Sequence, residues 1–186
     1  MPGCRALTDS EIELIGLNLG NILTRPHQLW MIFQVCKYTG LRIGQVLELT
    51  IQQVDGVDVI HIPRKRVGHT KQSTPRDIPV HLRLKGSLEC YLNELRLIGW
   101  AKERKDRLFT LSYDQCEHRL KEVVLRHNLP GKVNWHSLRH SFVKKMYAKL
   151  DKDIVATSKA VGHSNISNTA IYVGVDHDKI TKAILD

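Results

Sequence analysis

Basic side chains stand at the predicted starts of three helices, where a positive charge is out of place. Arg42 opens a helix in TGLRIGQVLEL. His136 and Arg139 lie one turn apart in NWHSLRH, and His163 stands at a further helix junction in VGHSN. The dipole and the N–H groups of a helix start disfavour a cation, but both favour a phosphate, whose oxygens also match the arginine fork. For either arginine alone an ordinary surface ion pair explains the residue equally well; a phosphate site explains the whole set better.

A fourth basic group crowds the segment RKRVGHTKQSTPR. Its first three cations, Arg64, Lys65 and Arg66, are predicted to contact a nucleic-acid backbone through charge alone. Lys71 differs because it stands just before the second of two predicted strands. A loop lysine there can place its ammonium in a groove and give a proton to a leaving oxygen.

A metal site is the competing interpretation of the histidines. His136 and His140 are spaced i, i+4 on a predicted helix, as in zinc proteases, but that motif needs glutamate where Ser137 stands. The four cysteines are far apart and form no C-x-x-C pair. We therefore predict no metal, and we assign His140 to a hydrogen bond within the core.

The charge of the chain favours an anionic partner. Among 186 residues, lysine and arginine number 28 and the acids 19, which gives a formal net charge of +9. Nucleic acid or an anionic membrane surface would both suit this charge. No apolar run approaches the roughly 20 residues that span a bilayer. We expect an intracellular protein that binds nucleic acid and no membrane.

Periodicity predicts a mainly α-helical fold with one small antiparallel β-sheet, an α+β domain. Apolar residues recur at helical spacing in seven segments, about residues 8–20, 26–40, 41–49, 84–99, 116–124, 135–150 and 153–161. Alternating residues in VDVIHIP and RDIPV predict a β-hairpin with a long basic tip. In the helix 135–150, an i, i+4 stripe predicts an inward face of Leu138, Phe142, Met146 and Leu150.

Four motifs in this order resemble the catalytic domain of a tyrosine recombinase, the phage integrase family. They are TGLRIGQVLEL, TKQSTPRDIPV, HSLRHSF and VGHSNISNTAIY, and the resemblance runs from LTDSEIE to just past Tyr172. The resemblance implies the tyrosine recombinase catalytic-domain fold. It also implies a site-specific recombinase or integrase that cuts and rejoins double-stranded DNA.

The resemblance implies a role for each of six residues. It implies that Arg42 and Arg139 grip the scissile phosphate, that Lys71 is the general acid toward the 5′-oxygen, and that His136 handles a proton. His163 matches a position that hydrogen-bonds the phosphate, and Tyr172 matches the nucleophile.

The expected chemistry is metal-independent and ATP-independent transesterification without a cofactor. A free tyrosine has a pKa near 10, so only about one in a thousand is phenolate at neutral pH, and nearby cations are needed to favour the phenolate. Attack would yield a 3′-phosphotyrosine and a free 5′-hydroxyl, which keeps the step reversible. Two alternatives stay open: a type IB topoisomerase-like enzyme that relaxes DNA, and a non-catalytic DNA-binding regulator that keeps the fold.

Two departures from the family pattern bear on partners. Gln45 stands where the family often has an acid, so the local support of Arg42 differs. Only seven residues precede the first predicted helix, so the chain is either a catalytic-domain-only member or a fragment. We expect one catalytic domain at residues 1–175 and a tail at 176–186 that docks on a neighbouring protomer or folds back. We also expect a homo-oligomer, a tetramer on DNA, with possible accessory proteins, in a prokaryotic cytoplasm at the nucleoid.

Overall fold

The computed structural model describes residues 3–21, 26–63, 75–100, 103–162, 166–167 and 169–170. Several predicted residues lie outside these ranges, namely Arg64, Lys65, Arg66, Lys71, His163, Tyr172 and the tail 176–186.

Helices dominate the described residues, as predicted. The α-helices are α1 (Asp9–Gly20), α2 (Pro26–Thr39), α3 (Ile43–Leu47), α4 (Leu82–Leu97), α5 (Tyr113–Arg126), α6 (Trp135–Lys149) and α7 (Ile154–Val161), with a 3₁₀-helix at Ile51–Gln53. Two strands, β1 (Val59–Ile62) and β2 (Arg76–Pro79), form an antiparallel pair. In this part of the chain no helix is long and apolar enough to cross a membrane.

The helix starts follow from their capping residues. Thr8 and Glu11 form a reciprocal capping box at α1, in which the Glu11 carboxylate accepts the Thr8 N–H at 2.8 Å. Asn134 caps α6 by accepting the His136 N–H at 3.0 Å. Asp153 caps α7 by accepting two backbone N–H groups through one carboxylate oxygen. These short-range bonds fix where the helices begin.

Helix α2 lies at the centre of the packing, in contact with α1, α3, α4 and α6. The four residues of its predicted apolar stripe are all buried, namely Leu29, Ile32, Phe33 and Cys36. The hairpin has the predicted alternation, since Ile60 and Ile62 of β1 are buried while Val59 and His61 are exposed. Ile60 pairs with the buried Ile78 of β2. The predicted α+β class is confirmed.

The inward face of α6 differs from the predicted stripe. Leu138 is buried, but Phe142, Met146 and Leu150 are only half-buried. The buried residues of this helix are Trp135, Ser137, Leu138, Arg139, Ser141 and Val143. The reason is that α6 is enclosed on more than one side. It packs on α2 and α7. On a further side it meets the segment before α1, where the Leu7 N–H donates to the Ser141 hydroxyl at 2.7 Å.

The charged segment after α4 is more ordered than the sequence suggests. Its side chains at positions 103–105 and 107 are exposed, as a solvated loop requires. Its backbone nevertheless pairs with the residues that follow α3. Ile51 donates its N–H to the Asp106 carbonyl at 3.0 Å, and Leu108 donates its N–H to the Leu49 carbonyl at 2.8 Å. The charged side chains of this segment did not predict this backbone pairing.

Candidate functional site

Arg139 is the fixed centre of the candidate site. Its side chain is 1% exposed, one turn into α6. Nη1 donates to the Gly40 carbonyl at 2.6 Å, and Nη2 donates to the Val161 carbonyl at 2.8 Å. These carbonyls lie at the C-terminal ends of α2 and α7, where the helix dipole is negative and favours a cation. One guanidinium therefore joins the ends of two helices, and the predicted phosphate is not the sole compensation for its charge.

Gly40 is the residue that allows this junction. Its φ is +62°, in the left-handed region where side chains are strained. A Cβ at Gly40 would lie 2.3 Å from Cδ1 of Phe142, so even a methyl group would collide with that ring. The chain thus turns sharply after α2 and brings Arg42, two residues later, beside the start of α6.

Arg42 occupies the N-cap of α3 rather than the predicted first turn. Its backbone is extended, with φ −68° and ψ 143°, and its carbonyl accepts the N–H groups of Gln45 and Val46 at 2.8 and 3.1 Å. The Gln45 side-chain oxygen accepts the Arg42 N–H at 3.2 Å. The Arg42 side chain is exposed. Gln45, noted as a departure from the family pattern, therefore supports Arg42 through its backbone.

His136 lies in the first turn of α6 and is half-buried. Burial, followed by the charges of His140, Arg139 and Arg42, lowers its pKa to about 4. At neutral pH the imidazole is uncharged. From the sequence, His136 was grouped with the cations, but near pH 7 it is a proton acceptor surrounded by positive charge.

His140 packs edge-on against His136, with ring centroids 5.0 Å apart. Its Nε2 lies 3.7 Å from Sγ of the half-buried Cys4, so this contact lies at the edge of the domain rather than in the core as predicted. Burial, followed by the charges of Arg139 and Lys144, lowers its pKa to about 4. Across the described ranges, no group of three or more histidine, cysteine or acidic side chains could hold a metal ion.

Arg76, at the start of β2, also lies in this region, although the sequence analysis gave it no role. A Cβ at Gly162 would stand 2.7 Å from Arg76 Cδ and 2.9 Å from its Nη1. Desolvation lowers the pKa of Arg76 to about 10, and the nearby charge of Arg42 contributes to the shift. The available signal was its place five residues after Lys71, on the strand that returns toward the site.

The structure therefore brings three predicted site residues, Arg42, His136 and Arg139, into one positively charged region, with Arg76 as an addition. Arginine groups beside helix ends suit an anion that carries several oxygens, above all a phosphodiester. An uncharged imidazole in the same place has a free nitrogen that can accept a proton from a hydroxyl.

The sequence is similar to those of known proteins. The family model described as "Phage integrase family" matches residues 6–179. Tyrosine recombinase XerC of Caldanaerobacter subterraneus subsp. tengcongensis is 35% identical over 89% of this chain and 45% of its own length. Tyrosine recombinase XerA of Thermococcus onnurineus is 30% identical over 82% of this chain and 53% of its own. The chain spans about half the length of these relatives.

Solved structures share the fold. The catalytic domain of bacteriophage HP1 integrase superposes with a TM-score of 0.64 at 20% identity, covering 97% of this chain and 95% of that one. The Tn1549 transposon integrase, solved with transposon right-end DNA, has a TM-score of 0.75 at 19% identity, covering 100% of this chain and 66% of that one. Because the family model matches nearly the whole length of this chain, the chain belongs to the phage integrase family of tyrosine recombinases.

Proposed function

We propose that this chain is the catalytic domain of a site-specific recombinase, which cleaves and rejoins DNA through a 3′-phosphotyrosine on Tyr172. The observation that carries the proposal is the Arg139 junction, whose two hydrogen bonds hold Gly40, two residues before Arg42, and the end of α7 against the helix that carries His136. Family membership supports the assignment. The net charge of +9 supports a nucleic-acid partner.

In the proposed reaction, cationic groups hold the scissile phosphate. Arg42 and Arg139 present positive charge to its non-bridging oxygens, and His163 donates a hydrogen bond to it. The arginine fork matches two phosphate oxygens at once, which orients phosphorus as well as neutralising it. The same charges stabilise the phosphorane-like transition state, where negative charge on these oxygens is greatest.

Two proton transfers accompany the cleavage. Tyr172 Oη attacks phosphorus and gives its proton to the uncharged His136, whose pKa of about 4 keeps it unprotonated at neutral pH. The P–O5′ bond breaks as the Lys71 ammonium gives a proton to O5′. The products are a phosphotyrosine ester and a free 5′-hydroxyl. Because one phosphate ester replaces another, the hydroxyl of a second strand can reverse the step without ATP.

We further propose that the partner is double-stranded DNA and that the active assembly is a homotetramer, with accessory proteins possible. Support for the DNA partner comes from the Tn1549 transposon integrase, solved with transposon right-end DNA, and from the XerH site-specific recombinase, solved bound to its palindromic difH substrate. Residues 1–175 form the catalytic domain, and the tail 176–186 docks on a neighbouring protomer. The protein acts in a prokaryotic cytoplasm, at the nucleoid.

The proposal is tested by covalent trapping. Purified protein is incubated with nicked genomic DNA fragments in EDTA, and DNA that stays attached after denaturation is isolated and sequenced. We expect wild-type protein to form an adduct and Tyr172→Phe to form none while binding DNA as well as wild type. Tyr113→Phe is the matched control, since Tyr113 is half-exposed at the start of α5, and it should trap like wild type.

An adduct that survives in Tyr172→Phe would assign the nucleophile to another residue, and no wild-type adduct on any fragment would refute strand cleavage. The trapped fragments then serve in a second assay. Exchange of products between two copies of the site supports recombination, whereas relaxation of a supercoiled plasmid without exchange would contradict it.

A further inference from the structure

We propose that Arg76 is a further DNA-contacting residue of this site, which binds a phosphate of the backbone next to Arg42. The identity of the ligand, a DNA phosphate, rests on the proposed function. The choice of Arg76 rests on three observations: the burial of its guanidinium, its contact with Gly162, and its proximity to Arg42.

The two terminal nitrogens of the Arg76 guanidinium are buried. Both Nη1 and Nη2 are inaccessible to solvent, and in the described part of the chain neither has a hydrogen-bond partner. A guanidinium carries five N–H donors, and leaving a buried donor of a charged group unsatisfied is costly. Buried polar groups in native structures are nearly always hydrogen-bonded, and a bound ion is one explanation of an exception. Here the missing partner is an oxygen acceptor.

The nearest acid does not fill that place. Asp77 follows Arg76 on β2, but successive side chains of a strand point to opposite faces. Its carboxylate oxygen lies 2.6 Å from Nδ1 of His61 on β1, on the other face of the hairpin. The carboxylate beside Arg76 in sequence is therefore engaged elsewhere.

The backbone at the end of α7 makes room for Arg76. Gly162 has a φ of +65°, and any Cβ there would stand 2.9 Å from Nη1. The preceding carbonyl, that of Val161, accepts a hydrogen bond from Arg139. Arg76 therefore lies against the same helix end that Arg139 holds, and its charged end belongs to the candidate site.

Arg76 and Arg42 are also electrostatically coupled. The pKa of Arg76 is lowered to about 10, first by desolvation and then by the charge of Arg42. At neutral pH the group still carries its charge, so the nearby charge of Arg42 opposes it. A phosphate would supply acceptors for the buried N–H groups and screen this repulsion in one step.

The test compares Arg76→Gln and Arg76→Lys with the control Arg83→Gln, which removes the same charge from an exposed side chain in the first turn of α4. Three quantities are measured on the full chain: Tm without DNA, the salt dependence of binding to a 30-base-pair duplex, and the yield of the Tyr172 adduct.

We expect Arg76→Gln to melt at or above the wild-type Tm, because a buried charge without a partner has been removed. The slope of log K against log salt should become shallower by about 0.9, the value for one lost phosphate contact. Adduct yield should fall at least tenfold. Arg76→Lys should keep the slope but lose much of the adduct yield, because lysine lacks the fork. Arg83→Gln should change none of the three.

A purely structural Arg76 would give the opposite pattern: a lower Tm for Arg76→Gln with an unchanged salt slope. That result, or an unchanged slope at equal Tm, would overturn the inference. The salt slope also separates the two proposals. If wild type forms no adduct but Arg76→Gln still flattens the slope, strand cleavage is refuted while the phosphate contact of Arg76 stands.

Discussion

Replacing Gly40 by alanine should strongly destabilise the protein, because two independent penalties meet at this residue. Its φ of +62° lies in the left-handed region, which costs an ordinary residue about 1–2 kcal/mol. The new Cβ would stand 2.3 Å from Cδ1 of Phe142, and forced overpacking of this kind costs about 1–3 kcal/mol. Together these penalties lower the free energy of unfolding by about 2–5 kcal/mol.

Urea denaturation and thermal melting measure this change. For a chain of this size each kcal/mol shifts Tm by about 2–4 °C, so the predicted loss corresponds to roughly 4–20 °C. Gly44→Ala is the matched control, four residues away in α3, where no described atom lies within 4 Å of the added Cβ. It should be neutral or stabilising by up to about 1 kcal/mol, as alanine favours a helix.

A double-mutant cycle with Phe142→Ala separates the two penalties. Removing the ring relieves the collision but not the backbone strain, so the two substitutions should couple favourably by about 1–3 kcal/mol. If Gly40→Ala is as stable as Gly44→Ala, the turn at Gly40 does not have the conformation that the site depends on, and the reasoning is refuted.

Two further predictions concern α6. Arg139→Met should lower the free energy of unfolding by about 3–6 kcal/mol, because two hydrogen bonds to a charged donor are lost and the carbonyls of Gly40 and Val161 lose their partner; urea curves like those of wild type would contradict the junction. The pKa of His136 and of His140 lies near 4 in the folded chain against about 6.5 in the unfolded one, so stability should be full above pH 6.5 and fall as pH drops from 6.5 toward 4. Melting curves across this window check the fall, which should be smaller in His136→Gln, and an equal fall in that variant would contradict the assignment.

The sequence was sufficient for the elements whose causes are local. The capping box of Thr8 and Glu11, the proline at the start of α2 and the glycine after α7 each act within four residues, so their types and spacing predict the helix ends. The hairpin followed from two alternating runs. The inward stripe of α6 was wrong in part, because a periodic pattern assumes one buried side and α6 is covered on several.

For the candidate site, the sequence supplied the residue types and the tertiary structure supplied their setting. Arg42, His136 and Arg139 were predicted to share a site, and they do share a region. The sequence did not predict that Arg139 is buried and joins two helix ends, that His136 is uncharged near pH 7, or that Arg76 lies beside Arg42.

By itself, then, the sequence determined the helices, the hairpin, the family motifs and the basic character of the protein. Only the tertiary structure decided which carbonyls hold Arg139, which lie 99 residues before it and 22 after it in the chain. It alone decided that the two terminal nitrogens of Arg76 are buried without a hydrogen-bond partner among the described residues. The physical reason is range: caps and periodicity act between neighbours in sequence, whereas desolvation and charge coupling depend on which distant segments the fold brings into contact.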